Sequence, residues 1–228
     1  MIGILGGMGP EATLDLYQHI INLTPASRDQ DHLRVLIYSN PKIPDRTLAI
    51  ADGGESPLIS LVDSARLLEA AGADIIAMPC NAAHHYLSQM RETIRIPILD
   101  MIAETSGVFR RRFPEAKAMG LMASDGTVHS RIYHMAFESE GISVILPSAS
   151  EQSFIQSAIV QVKAGVHTEA TRQQLLVIGE RLIHAGARAI VLGCTEIPLV
   201  FDSKAFPHPS LNSTRILAEA AVNVALGS

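Results

Sequence analysis

Short aliphatic runs alternate along the chain with longer stretches whose apolar positions recur every three or four residues. The runs at 2–5, 33–38, 74–79, 96–98, 118–122, 142–146 and 188–192 read as strands. The stretches at 11–23, 57–71, 84–93, 102–113, 128–140, 151–164, 168–185 and 213–226 read as helices. In the helix at 57–71, Leu58, Leu61, Ala65 and Leu68 share one stripe, at i, i+3, i+7 and i+10. The strands are continuously apolar rather than alternating. That is the pattern of parallel strands covered by helices on both faces.

The pattern also repeats. Gly3-Ile4-Leu5-Gly6 resembles Gly120-Leu121-Met122-Ala123, an offset of 117. Each run breaks into a small-residue loop, Gly6-Gly7-Met8-Gly9-Pro10 and Ser124-Asp125-Gly126-Thr127, and a helical pattern follows. The run ending at Cys80 and the run ending at Cys194 both begin Ala-Gly-Ala, an offset of 114 in a chain of 228. Ile96-Pro97-Ile98-Leu99-Asp100 resembles His208-Pro209-Ser210-Leu211-Asn212, an offset of 112. A period this long indicates a duplicated domain and not a solenoid. The expected fold is therefore α/β: two similar doubly wound α/β domains related by internal duplication, with the site in the cleft between them. Such sheets bind ligands at the carboxyl ends of their strands, where both cysteines lie.

Composition narrows the function classes. The chain is 47% hydrophobic, enough for a proper core, yet no apolar stretch approaches the ~20 residues of a membrane span. Its first residues read as a strand, not as a basic-headed signal peptide. A net charge of −5 and no long basic block argue against nucleic acid. Arg110, Arg111 and Arg112 read as a solvated helix end. Only four lysines are present, none in a setting that announces a Schiff base, and no P-loop or dinucleotide fingerprint occurs. No cofactor is expected, and a cytoplasmic location is.

The two cysteines carry the candidate chemistry. A thiol ionises near ~8.5 when unperturbed, and a helix N-terminus just after it favours the thiolate. Asn81-Ala82-Ala83-His84 follows Cys80 with residues able to begin a helix. After Cys194-Thr195-Glu196, Pro198 makes the corresponding helix short or irregular. Two thiols on opposite sides of one carbon can invert it, one removing a proton and the other returning one. Singly, each cysteine reads as a small buried hydrophobe; the mirrored pair points to shared function. The spacing Cys-x3-His-His at Cys80, His84 and His85 matches no standard zinc pattern, so no metal is expected. His84 and His85 read as a helix-start residue and its solvated neighbour, with a role in tuning Cys80 left open.

Pro79-Cys80-Asn81 with His84, and Gly193-Cys194-Thr195-Glu196, resemble the paired signatures of the aspartate/glutamate racemase family. Leu5-Gly6-Gly7-Met8-Gly9-Pro10 looks like that family's N-terminal loop. The stretch from Ser39 to Thr47 is similar to the aspartate racemase branch. The resemblance covers essentially the whole chain. It implies a PLP-independent amino-acid racemase, a homodimer acting on a small acidic amino acid, with Cys80 and Cys194 as a two-base pair. It suggests that Cys194 handles the proton of the L isomer and Cys80 that of the D isomer. It implies that the C-terminal helix returns to the first domain, giving domains 1–100 plus 211–228 and 101–210.

The same resemblance assigns substrate contacts. Arg46, in Asp45-Arg46-Thr47, would grip the side-chain carboxylate bidentately, with Lys163 as the second cation. Thr127 and Ser124 would bind the α-carboxylate, and Asn81 and Thr195 the amino and carboxylate groups. Without the motifs these residues would read as a loop arginine, a helix-end lysine and helix caps. The chain departs from the family at Ala82, where a threonine is usual, leaving only a backbone N–H there. It departs again at Leu211-Asn212-Ser213-Thr214. Both changes bear on substrate preference. A hydantoin racemase, a maleate cis-trans isomerase, a non-catalytic dicarboxylate-binding protein and a Cys80–Cys194 redox switch are the competing readings.

Overall fold

The computed structural model describes residues 1–227. Two all-parallel sheets organise it. In the first, β1 (Ile2–Gly6) lies between β2 (Val35–Ser39) and β3 (Ile75–Ala77), and Ile98 adds one parallel bridge to Ile76. In the second, β4 (Ala118–Ala123) lies between β5 (Ser143–Ile145) and β6 (Ile190–Gly193), with β7 (Ser210–Asn212) outside β6.

The sequence repeat is a repeat of register. Gly3 pairs with Ile76 and Gly120 with Ile190; Ile76 bridges Ile98 and Ile190 pairs with Ser210. These partners are related by the offsets 117, 114 and 112. Equivalent caps follow. Asp100 accepts the N–H groups of Ile102 and Ala103 to start α5 (Met101–Arg112), and Asn212 accepts those of Thr214 and Arg215 to start α11 (Ser213–Leu226). Each cap satisfies donors that a helix start leaves without intrahelical partners.

Alternate strand residues feed different cores, as the period of two requires. Ile2 and Ile4 pack with Leu16 and Ile20 of α1 (Pro10–Leu23) and with Leu217 and Ala221 of α11. Leu5, on the opposite face, packs with Leu61 and Leu68 of α3 (Leu58–Ala70) and with Met78 and Cys80. In the second sheet, Leu121 and Val191 meet Tyr133 and Phe137 of α7 (Ile132–Glu138) and Phe109 of α5. Met122, Ile190, Leu192 and Cys194 meet Ile155 of α8 (Ala149–Lys163) and Leu175 of α9 (Glu169–His184).

Several elements differ from expectation. The strand at 96–98 shrinks to the single bridge, because Pro97 has no N–H to offer a ladder. The helix expected at 84–93 is a 3-10 turn, Ala82–Tyr86, followed by α4 (Leu87–Arg91). The ring of His84 occupies the carbonyl of Cys80, and the His84 N–H bonds Asn81 O three residues back. The helix expected at 128–140 is two, α6 (Asp125–His129) and α7, broken where Arg131 adopts the left-handed region at φ 55. Ser124 is the N-cap of α6, so the presumed loop at 124–127 is mostly helix. β7 and α2 (Arg46–Ala51) are additions. The short helix anticipated after Cys194 is α10 (Ile197–Val200). Among the described residues, no helix is long and apolar enough to cross a membrane.

Candidate active site

Cys80 lies just beyond β3 and Cys194 directly follows β6. Both are free and buried. They line one pocket of about 300 Å3. Asn81 and Ala82 border it beside Cys80, and Thr195 beside Cys194. Arg46 and Thr47 enter from α2, Ser124 and Thr127 from the start of α6, and Lys163 from the end of α8. Every candidate contact read from the sequence thus opens onto the same space. Met8, Asp45 and Glu196 join them.

Arg46 is not a surface arginine. It is buried, and its Nη1 donates to the carbonyls of Ile43 (3.1 Å) and Pro44 (2.9 Å). Its Nε is buried with no protein partner. An unpaired guanidinium donor is unfavourable unless something accepts from it, and a carboxylate is the acceptor whose shape matches. Asp45, next to it, is engaged as the N-cap of α2 through Leu48 N.

Cys194 departs from the thiolate expected at a helix start. Its Sγ donates to Glu196 Oε2 at 3.0 Å. Burial pushes the thiol well above its ordinary pKa, the Glu196 charge pushes it further, and Lys163 opposes both. The four-residue α10 has too few aligned peptides to compete. Cys194 is therefore a proton-bearing thiol. Glu196 is itself buried, and its Oε1 accepts from Gly9 N at 3.1 Å. Burial, which strips water from the charge, lowers the Lys163 pKa, but Glu196, then Cys194 and Cys80, outweigh it and raise the net value. Lys163 thus stays charged above the pocket.

The Cys80 side is held differently. Met101 N donates to His84 Nε2 (3.1 Å), so the proton sits on Nδ1 and is donated to Cys80 O (2.8 Å). Burial lowers the His84 pKa, partly offset by its bond to Cys80 O and by Asp100. His84 is thus a neutral staple between the Cys80 loop and α5, not a metal ligand; among the described residues no cluster of His, Cys, Asp and Glu could hold a metal ion. Asn81 is fixed by a buried relay. Tyr133 Oη donates to Asn81 Oδ1 (2.7 Å), Asn81 Nδ2 to Ser213 Oγ (3.3 Å), and Ser213 Oγ to Leu192 O (2.8 Å). One Nδ2 hydrogen is left over. Tyr133 carried no signal in the sequence; Ser213 lay within the 211–214 departure from the family, and Glu196 inside the Cys194 motif.

Two parallel sheets of like topology, with one pocket lined from the carboxyl ends of both, define the class as an α/β protein with a shared site. The model of the Asp/Glu/hydantoin racemase family matches residues 5–221. The chain is 32% identical to the broad specificity amino-acid racemase RacX of Bacillus subtilis, over 99% of this chain and 98% of the relative. Among solved structures it is similar to the aspartate racemase of Picrophilus torridus, with TM-score 0.84, 31% identity and coverage of 98% and 93%. A Francisella tularensis glutamate racemase solved with D-glutamate shares the fold, at TM-score 0.71 and 15% identity, over 99% of this chain and 81% of that one. The chain belongs to the Asp/Glu/hydantoin racemase family and is an isomerase of its amino-acid racemase type.

Proposed function

We propose that the protein interconverts L- and D-aspartate, with glutamate as a secondary substrate, by proton transfer at Cα between Cys80 and Cys194. The observation that carries this reading is the single pocket. It collects a thiol from each sheet together with Arg46, Lys163, Ser124, Thr127, Asn81 and Thr195. Nothing in that set lacks a counterpart on an acidic amino acid. The side-chain carboxylate meets the free edge of Arg46, with Lys163 adding charge. The α-carboxylate meets Ser124 and Thr127, and the leftover Asn81 donor and Thr195 complete the cradle. The Ala82 position contributes a backbone N–H.

The resting protonation state sets the first step. With Cys194 holding its proton against Glu196, Cys80 is the base in this direction and takes the Cα proton from one face. Cys194 returns its own proton to the other face and becomes the thiolate. The product is the opposite enantiomer, and the two thiols have exchanged states. Their charges are held near a cation, Lys163, and in a dry pocket such interactions are stronger than in water. The two bodies carrying these groups are taken as residues 1–100 with 211–228, and 101–210.

Incubating L-aspartate with the protein in D₂O tests the reading. Deuterium should enter at Cα as optical rotation is lost. No exchange with either aspartate or glutamate would overturn it.

A further inference from the structure

Gly126 breaks a local rule. It sits inside α6, where glycine is unfavourable by about 1 kcal/mol relative to alanine. Its backbone does not need glycine, because it is not among the residues with positive φ. The reason lies in the contact with α2. A Cβ on Gly126 would stand 2.8 Å from Thr47 Cα, 2.9 Å from Thr47 Oγ1 and 3.2 Å from Thr47 Cβ. The nearest atom is backbone, so no rotamer change relieves the contact. α2 and α6 touch here with nothing between them.

The flanking residues give the contact its meaning. Arg46 precedes Thr47, and Thr127 follows Gly126. Arg46 is bolted to its own turn by the Ile43 and Pro44 carbonyls, and Ile43 is buried in the first sheet's core. Thr127 is fixed by Ser124, whose Oγ accepts from Thr127 N, directly after β4. Neither group can shift alone. The Thr47–Gly126 contact therefore sets the distance between the cation on one side and the hydroxyl on the other.

We propose that Gly126 is a specificity-determining residue: by letting α2 rest on α6 without a side chain between, it sets the span between the two carboxylate subsites and favours a four-carbon over a five-carbon dicarboxylate. This rests on the functional reading above, in which Arg46 and Thr127 hold opposite ends of the substrate. Carbon atoms pack at about 3.5–4.0 Å, so a methyl at Gly126 separates α2 from α6 by about 1 Å. A misplacement of that size can reduce a rate by about 100-fold, and one methylene discriminates substrates by about 10–200-fold.

The test is Gly126→Ala, assayed with aspartate and glutamate, beside Gly107→Ala as control. Gly107 lies in α5, and a Cβ there meets only the end of the Arg111 side chain, at 3.4 Å. In Gly126→Ala, kcat/KM for aspartate should fall about 10–100-fold and that for glutamate clearly less, with Gly107→Ala unchanged in both. Equal losses on both acids, or none, overturn the proposal. A second measurement needs no variant: calorimetry on the wild-type protein should show succinate binding about tenfold tighter than glutarate, and equal affinities overturn the proposal. If the wild-type protein exchanges Cα protons of neither acid, the functional reading falls and the role of Gly126 falls with it. If it is active and Gly126→Ala leaves the aspartate-to-glutamate ratio unchanged, or succinate and glutarate bind equally, only the role of Gly126 falls.

Discussion

Tyr133→Phe removes one oxygen from the middle of the molecule. Tyr133 is fully buried, and burial pushes its phenol pKa upward, so it remains a donor at any working pH. Its only hydroxyl hydrogen goes to Asn81 Oδ1 at 2.7 Å. Phenylalanine keeps the ring packed against Phe137 and opens no cavity. What changes is that a buried amide oxygen loses its donor, at about 1–3 kcal/mol. A domain of this size loses roughly 2–4 °C of melting temperature per kcal/mol. The midpoint should therefore fall by about 4–8 °C for a central loss near 2 kcal/mol. The effect extends to the pocket. With Oδ1 unpaired, the Asn81 amide is no longer held in one of its two flips, and the hydrogen it aims at the substrate is lost part of the time. One neutral hydrogen bond is worth about 1 kcal/mol, so kcat/KM should fall by up to about fivefold, on top of the stability change. Scanning calorimetry and polarimetry on the same preparation read both quantities. A midpoint within 1 °C of wild type, with unchanged kcat/KM, would refute the relay through Asn81.

Two further outcomes follow from the thiol environments. His84 has a folded-state pKa below its unfolded value, so the unfolded chain binds the proton first as pH falls. Its contribution to stability is complete above about 6.5 and is lost as pH drops below that, through the folded pKa. Melting temperature should thus fall less between pH 7.5 and 5.5 in His84→Gln than in wild type; parallel curves would count against the neutral staple. Glu196→Gln removes the charge that, after burial, raises Cys194. The thiol pKa should drop, and Cys194 should be alkylated faster by iodoacetamide at pH 8, as peptide mass spectrometry can follow. An unchanged or slower rate would contradict the Glu196 assignment.

The repeat was legible because it is written in residues that the fold must reuse. Gly3 and Gly120 sit at equivalent registers against Ile76 and Ile190, and Asp100 and Asn212 cap equivalent helices. Periodicity located the long helices to within a residue or two, α11 among them, since each buries a continuous stripe. It failed where single contacts decide. Arg131 in the left-handed region splits one helical pattern, and the His84 ring converts another into a 3-10 turn. α2 is too short for a period to register, and the burial of Arg46 depends on the Ile43 and Pro44 carbonyls turning toward it. The thiol pair was legible as residue types, but the cations entered only through the family resemblance, since alone Arg46 reads as a loop arginine and Lys163 as a helix-end lysine. Protonation was not: Glu196 lies two residues beyond Cys194, but only the turn at α10 brings its carboxylate onto the sulfur.

The central claim is that one carbon lies between two thiols. A crystal structure of the protein with bound aspartate tests it most directly. Near-attack geometry requires both sulfurs, Cys80 Sγ and Cys194 Sγ, about 3–4 Å from Cα and on opposite faces, with the side-chain carboxylate on the free edge of Arg46. Aspartate bound with both sulfurs on one face, or with Cα beyond reach of either, would contradict the two-thiol account.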